Sequence, residues 1–110
     1  MLYRLHYLSS ASPDLIKADI EELVRASSVK NALLNITGAL GYDGERFAQI
    51  LEGAREDVLA LMDTIRADDR HTGVIILDEK PVQRRLYTGW GLKHIDSLIF
   101  EDFENAMAEA

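Results

Sequence analysis

An Asp-Gly pair at residues 43 and 44 separates two segments that both have the composition of a β-strand. The segments are ITGALGY (36–42) and RFAQILE (46–52), and each is rich in apolar residues. Two such segments on either side of Asp-Gly indicate an antiparallel hairpin with a tight turn. This hairpin is a strong constraint on the fold, because its register decides which residues of the two strands lie opposite one another.

Two helices and three further strands are predicted around this hairpin. A first strand at 2–8 alternates along the chain, and VIILDE (74–79) and QRRLYTGW (83–90) have the composition of a fourth and a fifth strand. Between the first strand and the hairpin, apolar residues recur at helical spacing. We expect this first helix to have Ser12 as its N-cap and Pro13 at its first helical position.

The predicted element order is β-α-β-β-α-β-β. A second helix ends near Arg66, and the tail DSLIFEDFENAMAEA has the pattern of a short acidic amphipathic helix. This order is the ferredoxin-like split β-α-β pattern with an additional fifth strand. We therefore predict an α+β fold in which two helices lie on one face of a mostly antiparallel sheet, with a groove between them and the first and third strands adjacent.

Gln49 is the only amide within the apolar segment RFAQILE. Period-two alternation places it on the same face as Phe47 and Leu51. A buried amide needs partners for its donors and acceptors, and leaving them unpaired costs about 1–3 kcal/mol. Tyr7 belongs to the more apolar set of the first strand. Its phenol can therefore meet Gln49 at the floor of the groove if both side chains face the helices.

Charge and composition exclude several classes of protein. The formal net charge is -7, so a nucleic-acid partner is not expected. No apolar run approaches the roughly 20 residues needed to cross a bilayer, and the N-terminus reads as a strand rather than as a signal peptide. Cysteine is absent, and the histidines at 6, 71 and 94 are too dispersed to suggest a metal site. We expect a cytoplasmic protein that does not associate with membranes.

Five segments of the chain occur in an order and at spacings that resemble one known family. They are LYRLHYLSS, RASSVKNALLNITGAL, GERFAQILEG, IRADDRH and RRLYTGW. Together they resemble the BLUF family, the flavin-binding sensors of blue light. The resemblance covers about residues 1–95, and it implies one photosensor domain followed by an acidic amphipathic tail at 96–110.

The resemblance implies a photoreceptor that is not an enzyme and that binds a flavin without a covalent bond. FAD is the expected cofactor, with FMN or riboflavin as alternatives. Tyr7 matches the family tyrosine that donates an electron and a proton after excitation, and Gln49 matches the glutamine that bridges this tyrosine to the flavin. Rotation of the Gln49 amide, or its imidic tautomer, would exchange the donor and acceptor ends and produce a red-shifted state. The signal would pass to a partner protein or an output domain.

Further flavin-binding residues are implied by the same resemblance. Ser27 and Asn31 match polar residues of the first helix, and Arg70 and His71 match a pair at the pocket entrance. An apolar slot for the ring would be formed by the following side chains: Ile16 or Ile20, Leu23 or Val24, and Ile65.

Two positions depart from the family pattern. Leu92 stands where the family has the methionine of a W-x-M motif that begins at Trp90. The difference concerns signal relay through the fifth strand more than flavin binding, because Leu and Met have similar volumes. Lys30 stands where many relatives have another polar residue, and we expect it to point to solvent. Self-association through the fifth strand and the tail is also expected.

Two other functions are compatible with this topology. An acylphosphatase-like hydrolase would need a glycine-rich anion-binding loop with an arginine after the first strand, and LSSASPD (8–14) has neither. A cofactor-free interaction module would have the same fold without a chromophore. A yellow protein whose absorption shifts reversibly to the red in blue light would distinguish the photoreceptor from both.

Overall fold

The computed structural model describes residues 1–92 and 98–109, and its elements follow the predicted order. The strands form one sheet in the order β4-β1-β3-β2-β5, in which β2 and β5 are parallel and the other neighbours are antiparallel. The predicted ferredoxin-like α+β fold with a fifth strand is confirmed, including the adjacency of β1 and β3. The elements are β1 (Leu2–Ala11), α1 (Lys17–Leu33), β2 (Thr37–Tyr42), β3 (Arg46–Ala54), α2 (Arg55–Arg66), β4 (His71–Pro81), β5 (Trp90–Leu92) and α3 (Leu98–Ala108).

The predicted hairpin connects β2 to β3. Asp43 stabilises its turn, because its Oδ1 accepts hydrogen bonds from the amides of Glu45 and Arg46 at 2.9 and 2.7 Å. Gly38 of β2 has a φ of 149°, and a Cβ at this position would lie 1.9 Å from the carbonyl oxygen of Ile50. The close approach of β2 to β3 therefore requires glycine at position 38.

Alternation along β1 and β3 divides their side chains between the two faces of the sheet. Helices α1 and α2 pack on one face, which we call the α1–α2 face, and α3 packs on the other, the α3 face. Tyr7 and Leu51 are buried on the α1–α2 face. Ile50 lies on the α3 face, where Phe103 and Met107 of α3 are buried against it. The central strands are thus covered on both sides.

The first helix begins later than predicted. Ser12 and Pro13 do not form its N-terminus, because the helix begins at Lys17 with Ile16 as N-cap. The amide of Ile16 donates a hydrogen bond to the Asp19 carboxylate at 3.0 Å. This contact satisfies one of the amides that a helix start leaves without an intrahelical partner.

The fifth strand is shorter than predicted. Of the segment 83–90, only Trp90 belongs to β5, which pairs with residues 38–40 of β2. The prediction failed because backbone groups of residues 84–87 bind to two buried charged side chains of the sheet instead of to a neighbouring strand.

Some predictions fall on residues that the structure does not describe. The boundary between a domain ending at 95 and a tail beginning at 96 is one of them, and the side chain of Leu92 is another. The tail does contain a helix, α3. Among the helices of the described ranges, none combines the length and the apolar character that a bilayer span needs.

His6 lies on the α3 face, where its ring contacts the Phe103 ring edge-on at 5.6 Å. Burial lowers the pKa of His6 below its ordinary value of 6.5, although Glu104 and Asp78 act in the opposite direction. Because the fold favours neutral His6, this contribution to stability is present above about pH 6.5 and is lost as the pH falls through the folded-state pKa.

We therefore expect the free energy of unfolding, measured with urea, to fall between pH 7.5 and 5.5. His6→Leu should reduce that slope, by at most about 1.4 kcal/mol per pH unit. Part of the slope should persist in this variant, because burial also lowers the pKa of His71. An unchanged slope in His6→Leu would contradict this assignment.

Candidate functional site

A cleft of about 140 Å³ lies between α1 and α2, above the sheet. Leu23 of α1 and Leu61 of α2 contribute apolar surface to its walls, and Leu40 of β2 contributes to the lining from the sheet. Nine residues singled out from the sequence line the cleft: Leu23, Ser27, Lys30, Asn31, Gln49, Ile65, Arg70, His71 and Trp90.

Gln49 is paired at both ends of its amide. It lies directly opposite Tyr7 in the register of β1 and β3, on the α1–α2 face, and its Nε2 donates a hydrogen bond to the Tyr7 hydroxyl oxygen. Its Oε1 accepts a hydrogen bond from the indole Nε1 of Trp90 at 2.7 Å. The structure thus brings the predicted phenol and amide together and adds the indole as a third member.

The indole determines how the Gln49 amide is oriented. A tryptophan side chain has a single N–H donor and no acceptor, so the atom facing Trp90 must be the amide oxygen. The NH₂ group of Gln49 then faces Tyr7, whose hydroxyl oxygen acts as the acceptor. The opposite orientation would place two donors against each other at Trp90.

Tyr7 is fully buried and lies behind Gln49 rather than in the cleft lining. Burial raises the pKa of its hydroxyl, and the hydrogen bond from Gln49 offsets part of that rise. The phenol is therefore protonated at neutral pH. His71 contacts the Tyr7 ring edge-on at 6.2 Å and is itself held by the Ser9 hydroxyl, with 2.9 Å between Oγ and Nδ1.

Asn31 is only 2% exposed, and its Oδ1 has no hydrogen-bond partner among the residues that the structure describes. A buried amide oxygen without a partner is unfavourable, and such a group in a cleft marks a place where a ligand donor can bind. Asn31 lines the cleft from α1. It is therefore a candidate acceptor for a ligand N–H.

Arg70 lines the cleft but is engaged by Asp68. Its Nε and Nη2 donate to the Asp68 carboxylate at 2.9 and 2.6 Å. The hydrogen bond from Arg70 lowers the pKa of Asp68, and Asp68 raises the pKa of Arg70. Sequence reasoning missed Asp68, although its position two residues before Arg70 was a signal for this pair. The guanidinium charge is thus largely compensated within the protein.

Two other side chains differ from their expected places. Val24 is partly buried against Ile20 and Leu23 and does not line the cleft, whereas Leu23 does. Lys30 is exposed, as expected, yet it also lines the cleft. Thr64 of α2 lines the cleft as well, and nothing in the sequence pattern indicated it.

The chain matches the family model of BLUF, described as sensors of blue light using FAD, over residues 2–93. It is 36% identical over 101 residues to the beta subunit of photoactivated adenylate cyclase from Euglena gracilis, and 37% identical over 86 residues to that of Euglena longa. These stretches cover 88% and 78% of the chain but only 12% and 10% of the cyclase subunits. The chain therefore spans about a tenth of the length of these relatives.

Solved structures show the same similarity. A dark-state structure of BlrB, a BLUF protein, superimposes with a TM-score of 0.83 at 33% identity and covers 96% of this chain and 83% of BlrB. Klebsiella pneumoniae BlrP1 with FMN and cyclic diGMP superimposes with a TM-score of 0.79 at 38% identity, covering 87% of this chain and 26% of BlrP1.

Proposed function

The chain belongs to the BLUF family of flavin-using blue-light sensors, and we propose that its flavin ring lies in the cleft between α1 and α2, next to Gln49. Membership of this family favours a photosensory module over the two alternatives, an acylphosphatase-like hydrolase and a cofactor-free interaction module. The observation that carries the proposal is the Gln49 amide, which joins Tyr7 to Trp90 at the cleft.

The residues of the cleft fit an isoalloxazine ring. The ring is flat and largely apolar, with one polar edge that contains carbonyl groups and an N–H. Leu23, Leu61 and Ile65 offer apolar surface for its faces. The free Oδ1 of Asn31 is an acceptor suited to the N–H of the polar edge. Ser27, Arg70 and His71 would provide the remaining polar contacts.

Asn31→Leu should stabilise the flavin-free protein and weaken its binding of flavin. Without flavin, removal of a buried unpaired acceptor should raise the free energy of unfolding by about 1 kcal/mol. With flavin, loss of one hydrogen bond should weaken binding about tenfold. Thermal unfolding and fluorescence titration with FMN measure the two effects. Asn105→Leu, at an exposed position of α3, is the control. Unchanged FMN affinity in Asn31→Leu would contradict the assigned role.

Tyr7 and Gln49 would carry the photochemical response. Bound flavin supplies a chromophore for blue light and, when excited, a strong oxidant. Tyr7 is an oxidisable group in direct contact with Gln49, and its Oη holds a proton at neutral pH, where a phenol with a raised pKa stays neutral. Gln49 contacts that oxygen directly, so the amide can respond to any change in the charge or protonation of Tyr7.

A reversal of the Gln49 amide would disturb Trp90. In the observed orientation Oε1 accepts the indole N–H. After rotation, Nε2 would face the same indole N–H, and two donors cannot bond to each other. An imidic tautomer would convert the amide oxygen to a hydroxyl, which accepts the indole N–H less strongly. Rotation would remove the hydrogen bond of Trp90 to Gln49 and tautomerism would weaken it, so both would affect the position of Trp90 in β5.

We propose FAD as the cofactor, in agreement with the family description, with FMN as a functional substitute because BlrP1 has been solved with FMN. Phosphate recognition should depend on Arg70, which Asp68 compensates. In Asp68→Asn the freed guanidinium should raise the affinity for FMN relative to riboflavin about fivefold at low salt, and less at high salt. Equal ratios in the variant and the original protein would exclude Arg70 from phosphate binding.

The output of this module would be a contact with another protein or domain. The related cyclase subunits are much longer than the matched segment, so a BLUF domain can be joined to an effector in one chain. Self-association through β5 and the tail remains a proposal, and light scattering after size exclusion in the dark and in blue light tests it. We also propose a cytoplasmic location.

The photoreceptor function is tested by absorption spectroscopy of the purified protein. We expect a yellow protein, or one that becomes yellow on addition of FAD, whose spectrum shifts reversibly to the red in blue light. Chromatography of the released chromophore identifies the flavin. A protein that binds neither FAD nor FMN would refute the function.

A further inference from the structure

The α3 face of the sheet contains an ion pair that neither the cleft nor the proposed photochemistry uses. Arg4 of β1 and Glu52 of β3 lie opposite each other in the register, and both side chains are 0% exposed. Arg4 Nε donates to Glu52 Oε2 at 2.9 Å. Two buried charges are costly unless their remaining donors and acceptors are satisfied, so their other partners are informative.

The other partners of the Glu52 carboxylate include the segment that leads to Trp90. The amides of Leu86 and Tyr87 donate to the carboxylate at distances between 2.9 and 3.1 Å. Further along, the carbonyl of Gly89 accepts an amide of β2 at 3.0 Å. Trp90 follows directly. Glu52 therefore helps to fix the position of the backbone that carries the indole.

The other donors of Arg4 hold the C-terminus of α3. Its Nη1 donates to the carbonyl oxygens of Ala106 and Glu109 at 3.1 and 2.8 Å. Its Nη2 donates to the carbonyl oxygen of Arg84 at 3.1 Å. A cation at the carbonyl end of a helix is favourable, because that end carries partial negative charge. Arg4 thus connects α3 to the same segment that Glu52 binds.

We propose that the Arg4–Glu52 pair couples the Gln49 site to α3, with Glu52 as a positioning residue for Trp90 and Arg4 as the anchor of the helix C-terminus. The inference rests on the proposed function, because it requires that light changes the contact between Gln49 and Trp90. When Trp90 leaves Gln49, the segment 84–89 moves with it. Arg4 then loses one of its carbonyl partners, and its hold on α3 weakens.

A continuous series of contacts from Gln49 through Trp90 and Glu52 to Arg4 supports this coupling. Gln49 and Glu52 belong to one strand and face opposite sides of the sheet, and Trp90 and the backbone that precedes it connect the two side chains. Both charges are buried, where an unpaired polar group is costly, so neither can change partners without affecting the other. If the pair only stabilised the fold, its removal would leave the response of α3 to light unchanged.

Two double variants separate the two functions of the pair. R4M/E52Q removes both charges but keeps Oε1 at position 52 as an acceptor for the amides of Leu86 and Tyr87. R4M/E52L removes that acceptor as well. Neither variant leaves an unpaired buried charge, so both should fold. The matched control K17M/E21L removes an exposed ion pair of α1.

The full chain reconstituted with FAD is measured by absorption and by amide hydrogen exchange of residues 103–109, in the dark and in blue light. In the original protein and in K17M/E21L, light should accelerate exchange in α3. In R4M/E52Q the red shift should persist, while exchange in α3 should already be about tenfold faster in the dark and no longer respond to light. In R4M/E52L the fluorescence of Trp90, the sole tryptophan, should also move to longer wavelength before FAD is added.

Each outcome addresses a separate part of the proposal. Exchange in R4M/E52Q that matches the original protein in the dark and in light would overturn the anchoring role of Arg4. Unchanged Trp90 emission in R4M/E52L would overturn the positioning role of Glu52. An original protein that binds FAD without a red shift would instead refute the proposed photochemistry, and the dark measurements on the variants would still decide both roles.

Discussion

Tyr7→Phe is expected to retain flavin and to lose the light-induced red shift completely. The substitution removes the hydroxyl to which Gln49 donates and, with it, the oxidisable phenol. Gln49→Leu should have the same spectroscopic result, because no amide would remain to exchange its donor and acceptor ends. Difference absorption after a blue flash measures both variants.

Tyr42→Phe is the matched control for Tyr7→Phe. The Tyr42 hydroxyl lies at the exposed hairpin, where it donates to the carbonyl of Gly44 at 3.3 Å. Its removal should leave the red shift unchanged. A normal photocycle in either Tyr7→Phe or Gln49→Leu would show that the assigned mechanism is wrong, even though the family is established.

The single variant Glu52→Leu is expected to destabilise the protein by about 3–5 kcal/mol. It would leave the Arg4 guanidinium buried without its counter-charge and the amides of Leu86 and Tyr87 without their acceptor. Urea unfolding measures the loss. R4M/E52L should recover most of it, because no unpaired charge remains.

A Glu52→Leu protein as stable as the original would contradict the burial of this pair. Failure of R4M/E52L to recover stability would show that the lost amide contacts, rather than the unpaired charge, dominate the cost. Glu21→Leu, at an exposed position of α1, provides the comparison and should change stability by less than about 0.5 kcal/mol.

Local sequence patterns predicted the parts of the fold that local interactions determine. The hairpin followed from Asp43-Gly44 and two apolar segments, and the adjacency of Tyr7 and Gln49 followed from period-two spacing within a split β-α-β order. The predicted start of α1 was wrong because proline is acceptable both in the first turn of a helix and in a β-turn, and Pro13 lies in a turn. The helix instead begins where the Asp19 carboxylate accepts the amide of Ile16.

The site was predictable where a residue stood out from its surroundings or matched the family pattern. Gln49 stood out because an amide in an apolar strand needs hydrogen-bond partners, and Asn31 was identified through the resemblance. The burial of Arg4 and Glu52 was not predictable in the same way, because a charged residue in an alternating strand usually faces solvent. Within the described residues, α3 and the segment 84–87 cover these two positions and make them interior.

Alternation along β1 places Tyr7 on the α1–α2 face and its neighbour His6 on the α3 face, and β3 does the same with Gln49 and Ile50. Neighbouring positions of the two strands therefore supply side chains to opposite faces, one to the proposed flavin site and the other to the packing of α3. Under the proposed function, substitutions on the α3 face would change the surface offered to an effector and leave the side chains around the flavin as they are.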